Sequence, residues 1–212
     1  MIEIIPTIFA KTPEEFTNIV HRYEPFFSRA SIDVSDGIFT NEKTVSGFEE
    51  LKKMPSNLKF DAHLMVENPQ DKMADWQNTP VDRFFIHIEN NRNIIASLAN
   101  SLHYNGKKVG LVVNPDTGID EIREFVESVD IVQFMTVQPG AYGRDFIYNV
   151  LEKIAMFRES YPNIPIAVDG GINLETAPNI KKTGAVIYFV GSYFNNSTDL
   201  RKSIDDLAVI LN

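Results

Sequence analysis

Three residues able to do chemistry occupy comparable places in this sequence of 212 residues. Asp33, His63 and Asp169 each sit near the end of a short apolar run: Ser31-Ile32-Asp33-Val34-Ser35-Asp36-Gly37, Phe60-Asp61-Ala62-His63-Leu64-Met65 and Ala167-Val168-Asp169-Gly170-Gly171. Side chains alternate along a strand, so Ser31 and Asp33 share one face, as do Asp61, His63 and Met65. Two carboxylates and an imidazole converging on one point could hold a divalent cation and exchange protons with a ligand. Each residue also has a plainer reading. An aspartate at a strand end is commonly a turn or cap residue, and a histidine in an apolar run is commonly a satisfied core residue. Three of them at three strand ends shift the balance toward a site. Asp61, on the same face as His63, is expected to orient a ligand through an intervening hydrogen bond. His87 is read as a core residue or as one standing behind the ligands.

Glycines point to a second chemical function. Gln138-Pro139-Gly140-Ala141-Tyr142-Gly143-Arg144, Gly170-Gly171 and Gly191-Ser192 follow three successive apolar runs. Backbone N–H groups at such turns can hold an anion without a side-chain cation, although any one pair could be a turn and nothing more.

These residues need elements to position them. Short apolar runs near 2–8, 29–34, 58–64, 83–88, 108–113, 129–135, 164–168 and 187–190 predict strands. Amphipathic segments near 13–21, 45–53, 69–77, 92–104, 117–127, 146–159, 174–182 and 195–210 predict helices between them. Thr12-Pro13-Glu14-Glu15 supplies a cap, a first-turn proline and acidic residues for the first helix. Eight strand–helix units of roughly 26 residues each suit a (β/α)8 TIM barrel, an α/β fold with ligands at the carboxyl ends of its strands. The alternative, an open doubly wound sheet, leads one to look for a glycine-rich turn after the first strand, and residues 5–15 contain no glycine. One domain is expected over residues 1–212.

Composition bounds the rest. Apolar residues make up 43% and charged residues 23%, as in ordinary soluble domains. A net charge of −9 argues against nucleic acid or an anionic membrane as partner, so an anionic ligand must be held by local groups. With no cysteine, disulfides and thiolate metal sites are excluded. The start Met1-Ile-Glu-Ile-Ile-Pro6 reads as neither a signal peptide nor a membrane span, which makes the cytoplasm the expected location.

Across nearly its whole length the chain resembles the ribulose-phosphate 3-epimerase family. The segments that carry the resemblance are Ile5-Pro-Thr-Ile8, Ile32-Asp-Val-Ser-Asp-Gly-Ile-Phe39, Asp61-Ala-His-Leu-Met65, His87-Ile-Glu89, Gly110-Leu-Val-Val-Asn-Pro-Asp-Thr117, Met135-Thr-Val-Gln-Pro-Gly140, Val168-Asp-Gly-Gly-Ile-Asn173 and Val190-Gly-Ser192. The resemblance implies a barrel of the ribulose-phosphate-binding type that inverts C3 of D-ribulose 5-phosphate, and a homo-oligomer. It implies Asp33 and Asp169 as the acid–base pair, and Asp33, His63 and Asp169 as ligands of a divalent metal (Zn, Mn, Fe or Co). Met65 and Met135 would border the reacting centre, and Thr7 would stand where the family has a serine. Gly140, Ala141, Tyr142, Gly143, Gly170, Gly171, Gly191 and Ser192 would form the phosphate cradle.

Two departures stand out. The family pattern His-x-Asp-x-Met-Asp-Gly reads here Ser31-Ile-Asp33-Val-Ser35-Asp-Gly37, so a metal-binding histidine is Ser31, and a hydroxyl is a poorer ligand than an imidazole. The loop Gly-Phe-Gly-Gly-Gln becomes Gly140-Ala-Tyr-Gly-Arg144, with Arg144 able to add a cation. A metal-free, phosphosugar-binding relative without activity and an epimerase of a six-carbon ketose phosphate are the alternatives. A decarboxylase or aldolase with an Asp-x-Lys-x-x-Asp array is discounted, because no lysine lies between Asp33 and Asp36.

Overall fold

Eight parallel strands close into a barrel in sequence order, β1 to β8, with β8 pairing back onto β1. The computed structural model describes residues 2–76, 79–140 and 143–212. The strands are β1 Glu3–Ile8, β2 Arg29–Ser35, β3 Lys59–Met65, β4 Val81–His87, β5 Lys108–Val113, β6 Ile131–Met135, β7 Ile166–Asp169 and β8 Ile187–Val190. Helices α1 Pro13–Tyr23, α2 Phe48–Lys53, α3 Pro69–Trp76, α4 Ile95–Tyr104, α5 Val150–Ser160, α6 Ala177–Lys181, α7 Ser192–Asn195 and α8 Leu200–Leu211 lie along the chain between or after them. Among the described residues no helix is long and apolar enough to cross a membrane.

The elements form for local reasons. In α1, the Thr12 hydroxyl accepts from Glu15 N–H at 3.2 Å while the Glu15 carboxylate accepts from Thr12 N–H, a reciprocal cap that satisfies two otherwise orphaned donors. Phe16, Val20 and Tyr23, spaced at helical intervals, then turn one face inward and are buried. Alternation divides the strands between two apolar regions, except that β2 and β3 turn polar and charged residues inward. Ile32, Leu64, Phe84, Leu111, Phe134 and Val168 face the helices in the larger core, whereas Ile5, Phe85, Val112, Ile131, Ala167, Ile187 and Phe189 fill the barrel itself. Inside, the rings of Phe85 and Phe189 meet edge to face at 5.1 Å.

Below that apolar plug, at the amino ends of the strands, lies a cluster of charges. Asp61 is fully buried and accepts from Arg83 Nε at 2.7 Å, Arg83 Nη2 at 2.6 Å and Arg29 Nη1 at 2.6 Å. Arg83 also reaches Glu3 at 3.0 Å, and Arg29 grips both oxygens of Asp82 at 2.5 and 3.1 Å. Asp61 is thus bound to two guanidinium groups at the base and orients nothing at the mouth, which corrects the expectation for it. Its face was right. Its depth was not, because two residues of strand separate Asp61 from His63 by roughly 7 Å.

Two helical expectations also change. The 117–127 segment forms 3-10 turns, Ile119–Glu121 and Arg123–Ser128, in place of an α-helix. The Glu121 side chain accepts from Gly118 N–H at 2.9 Å, and Lys153 Nζ donates to the carbonyls of Asn114, Pro115 and Thr117 at 2.8–2.9 Å, pinning the start of the segment. The final helix, expected from about 195, starts at Leu200 as α8, where Asp199 caps it by accepting from Lys202 N–H at 3.0 Å, and α7 is a separate short turn before it.

Candidate active site at the barrel mouth

Strand register delivers the reactive groups to the opposite, carboxyl end. Asp33 on β2 lies directly beside His63 on β3, and Met135 on β6 directly beside Asp169 on β7. His63 Nδ1 stands 3.2 Å from Asp33 Oδ1 and 3.3 Å from Asp169 Oδ2, so one imidazole nitrogen faces two carboxylates from different strands. One donor atom from each of the three residues lies within 4.8 Å of the others. That donor set, one imidazole and two carboxylates, fits a divalent cation of hard to borderline character. Ser31, two residues before Asp33 on the same strand face, is buried and contributes only a hydroxyl.

Neighbours hold these groups in place. Thr7 hydrogen-bonds to Asp33, and Gln133 Nε2 donates to Asp169 Oδ2 at 3.0 Å. Thr136 Oγ1 donates to the carbonyls of Asp169 and Gly170 at 3.0 and 2.6 Å, fixing the turn where β7 ends. His63 Nε2 meets His87 Nε2 at 2.9 Å, and His87 Nδ1 lies 3.3 Å from Glu89 Oε2.

Burial and charge set the protonation of the site. Burial pushes the Asp33 carboxyl up to about 6, the hydrogen bond and charge of His63 opposing and the charge of Asp169 adding to the rise. Burial alone would lower His63, but hydrogen bonds with Asp169 and Asp33 and their charges carry it up to about 9. Burial takes His87 down to about 4 despite its bond to Glu89, so this ring is neutral near pH 7.

A cavity of about 490 Å³, counting its open mouth, joins this cluster to the glycine-bearing loops. It is lined by Thr7, Asp33, His63, Met65, Met135, Gly140, Gly143, Gly170, Gly171, Asp169, Gly191 and Ser192, together with Arg144. Ala141 and Tyr142 lie outside the described residues. Two glycines are required by close approach as well as by backbone angle. At Gly140, with φ of +107°, a Cβ would come within 2.6 Å of Thr40, and at Gly170, with φ of +110°, within 2.4 Å of Val137.

Sequence reading missed several residues. Phe9, Val137 and Pro139 also line the cavity. Gln133 is fully buried and anchors Asp169, and a polar residue two positions before Met135 in an otherwise apolar strand was the available signal. Glu89 was visible within His87-Ile-Glu89, but nothing in the sequence said which ring nitrogen it would meet.

Comparison with known proteins fits this geometry. A family model described as the ribulose-phosphate 3 epimerase family matches residues 3–195. A ribulose-phosphate 3-epimerase of Bacillus subtilis is 29% identical over 214 aligned residues, covering 98% of each chain. That of Aquifex aeolicus is 33% identical over 174 residues, 79% of this chain and 78% of its own. That of Treponema pallidum is 34% identical over 173 residues, again 79% and 78%. Among solved structures, 3-hexulose-6-phosphate synthase from Salmonella typhimurium gives a TM-score of 0.71 over 99% of this chain and 98% of its own, a likeness of fold at 16% identity.

Proposed function

The chain belongs to the ribulose-phosphate 3-epimerase family, a family of isomerases, and on that premise we propose that it inverts C3 of D-ribulose 5-phosphate, with Asp33 and Asp169 as the proton-transfer groups. The observation that carries this reading is the convergence of two carboxylates, from β2 and β7, on one imidazole nitrogen at the floor of a glycine-rimmed cavity.

Inversion next to a carbonyl requires one base to remove the C3 proton and a second group to return a proton from the other face. Asp33 and Asp169 reach the cavity from strands separated by β8 and β1, which suits attack from two sides. The raised pKa of Asp33 keeps its protonated form accessible near neutrality, as a group that both accepts and returns a proton requires. Thr7 and Gln133 steady the two carboxylates from behind. Asp33, His63 and Asp169 would hold the family's divalent metal, which when bound supplies Lewis-acid stabilisation of the enediolate charge. Met65 and Met135 give the reacting carbon an apolar border. The phosphate belongs at the rim formed by Gly143, Gly170, Gly171, Gly191 and Ser192, where Arg144 adds a cation.

The comparisons favour neither the binding-only nor the six-carbon alternative. The test is incubation with D-ribulose 5-phosphate and Mn²⁺ in D₂O. Deuterium should enter C3 as D-xylulose 5-phosphate accumulates. Absence of C3 exchange with every pentulose and hexulose phosphate tried would overturn the proposal.

A further inference from the structure

An imidazole can ligate a cation through one nitrogen only if a proton sits on the other, and Asp33 and Asp169, which both face Nδ1, do not hold a proton on Nε2. The groups behind the ring do. Glu89 is an acceptor held by three donors: Asn114 N–H at 2.8 Å, Thr117 Oγ1 at 2.5 Å and His87 Nδ1 at 3.3 Å. With its Nδ1–H directed at that carboxylate, neutral His87 presents a lone pair at Nε2, 2.9 Å from His63 Nε2. His63 must then carry its proton on Nε2. The two rings meet edge to edge, with centroids 5.0 Å apart and planes within 18° of parallel, His87 is fully buried, and Phe39 packs on its ring at 4.6 Å.

We infer that His87 and Glu89 are positioning residues that fix the His63 ring with Nε2–H pointing back into the barrel wall and Nδ1 turned toward Asp33 and Asp169. The inference rests on the reading of those three residues as the cation-holding set. It adds a relay from the loop after β5, through β4, to the site on β3. Partners of this kind typically alter metal affinity 10–100-fold when removed.

The experiment measures Mn²⁺ affinity of the purified protein by calorimetry, and the Nε2–H of His63 by ¹⁵N–¹H correlation of the ring in metal-free protein. With four histidines in the chain, assignment is tractable. His87→Phe keeps a ring but removes the acceptor. It should weaken Mn²⁺ binding by about 10–100-fold and abolish the solvent-protected Nε2–H signal of His63. His87→Gln, whose amide oxygen can accept the same proton, should recover most of both. Glu89→Gln offers one acceptor oxygen where three donors compete and should give a smaller loss. A folded His87→Phe protein that binds Mn²⁺ like the parent and keeps the Nε2–H signal would overturn the relay. Failure of the parent to bind Mn²⁺ would refute the cation reading instead, and the ring signal would still decide the relay.

Discussion

The two ends of this barrel both bury charge, and they do so in opposite ways. At the base, Arg29 and Arg83 are shared among Asp61, Asp82 and Glu3, and fully buried Asp61 is bonded on both oxygens. At the mouth, Asp33 and Asp169 compete for a single imidazole nitrogen, and Asp33 is raised to about 6 as a result of burial that His63 does not fully offset. A paired cluster of this kind has nothing left to offer a ligand. An underpaired one does. The difference separates charges that hold the fold from charges that, on the proposed function, would meet a cation or a substrate proton.

The sharpest way to break this contrast is to remove one carboxylate from each end. Asp33→Asn or Asp169→Asn should lower turnover by about 10²–10⁴-fold with little loss of stability, measured by C3 deuterium exchange beside urea unfolding. Asp61→Asn should do the reverse. It leaves two guanidinium groups facing a neutral amide and should cost about 3–5 kcal/mol, read from the urea midpoint, with the folded fraction retaining activity. A large stability loss from Asp33→Asn would erase the distinction.

Titration sharpens it further. A cation on His63 Nδ1 must displace the proton that the two carboxylates favour there, with the ring's pKa lifted to about 9. Mn²⁺ affinity should therefore rise by up to about tenfold per pH unit from 7 toward 9 and level off above, as calorimetry at several pH values would show. In the metal-free protein the sign is opposite. Because the folded pKa of His63 lies above its ordinary 6.5, the stabilisation is complete below that value and is lost as pH rises through 9. The smallest effect belongs to the rim. Arg144→Ala should raise KM for a phosphorylated ketose about tenfold and leave kcat nearly unchanged, since it removes a charged contact to a part of the substrate that does not react.

The same contrast shows what the sequence could disclose. Strand positions followed from apolar runs and their turn boundaries, and the trio at the mouth followed from which residues end those runs. Alternation tells which face a side chain takes but not how far along the barrel axis it sits, so Asp61 and His63 looked equivalent although one is at the base and the other at the mouth. Apolar spacing at three and four residues is shared by α and 3-10 geometry, so Ile122, Phe125 and Val126 did not reveal which one the 117–127 segment adopts. Gln133 and Glu89 act by meeting particular atoms on neighbouring strands, and such pairings depend on barrel closure, which no local pattern encodes.

The bare backbone at Gly140 lets the side chain of Thr40 press directly against it. Thr40 Oγ1 is 2.7 Å from Ser35 Oγ, Ser35 N–H donates to Thr44 Oγ1 at 2.8 Å, and Thr44 in turn donates to the carbonyl of Asp33 at 2.8 Å. The segment following β6 and the peptide bearing one of the two acids are therefore mechanically linked through a ladder of hydroxyls. A side chain at position 140 that pushed Thr40 aside would therefore be felt at the Asp33 peptide.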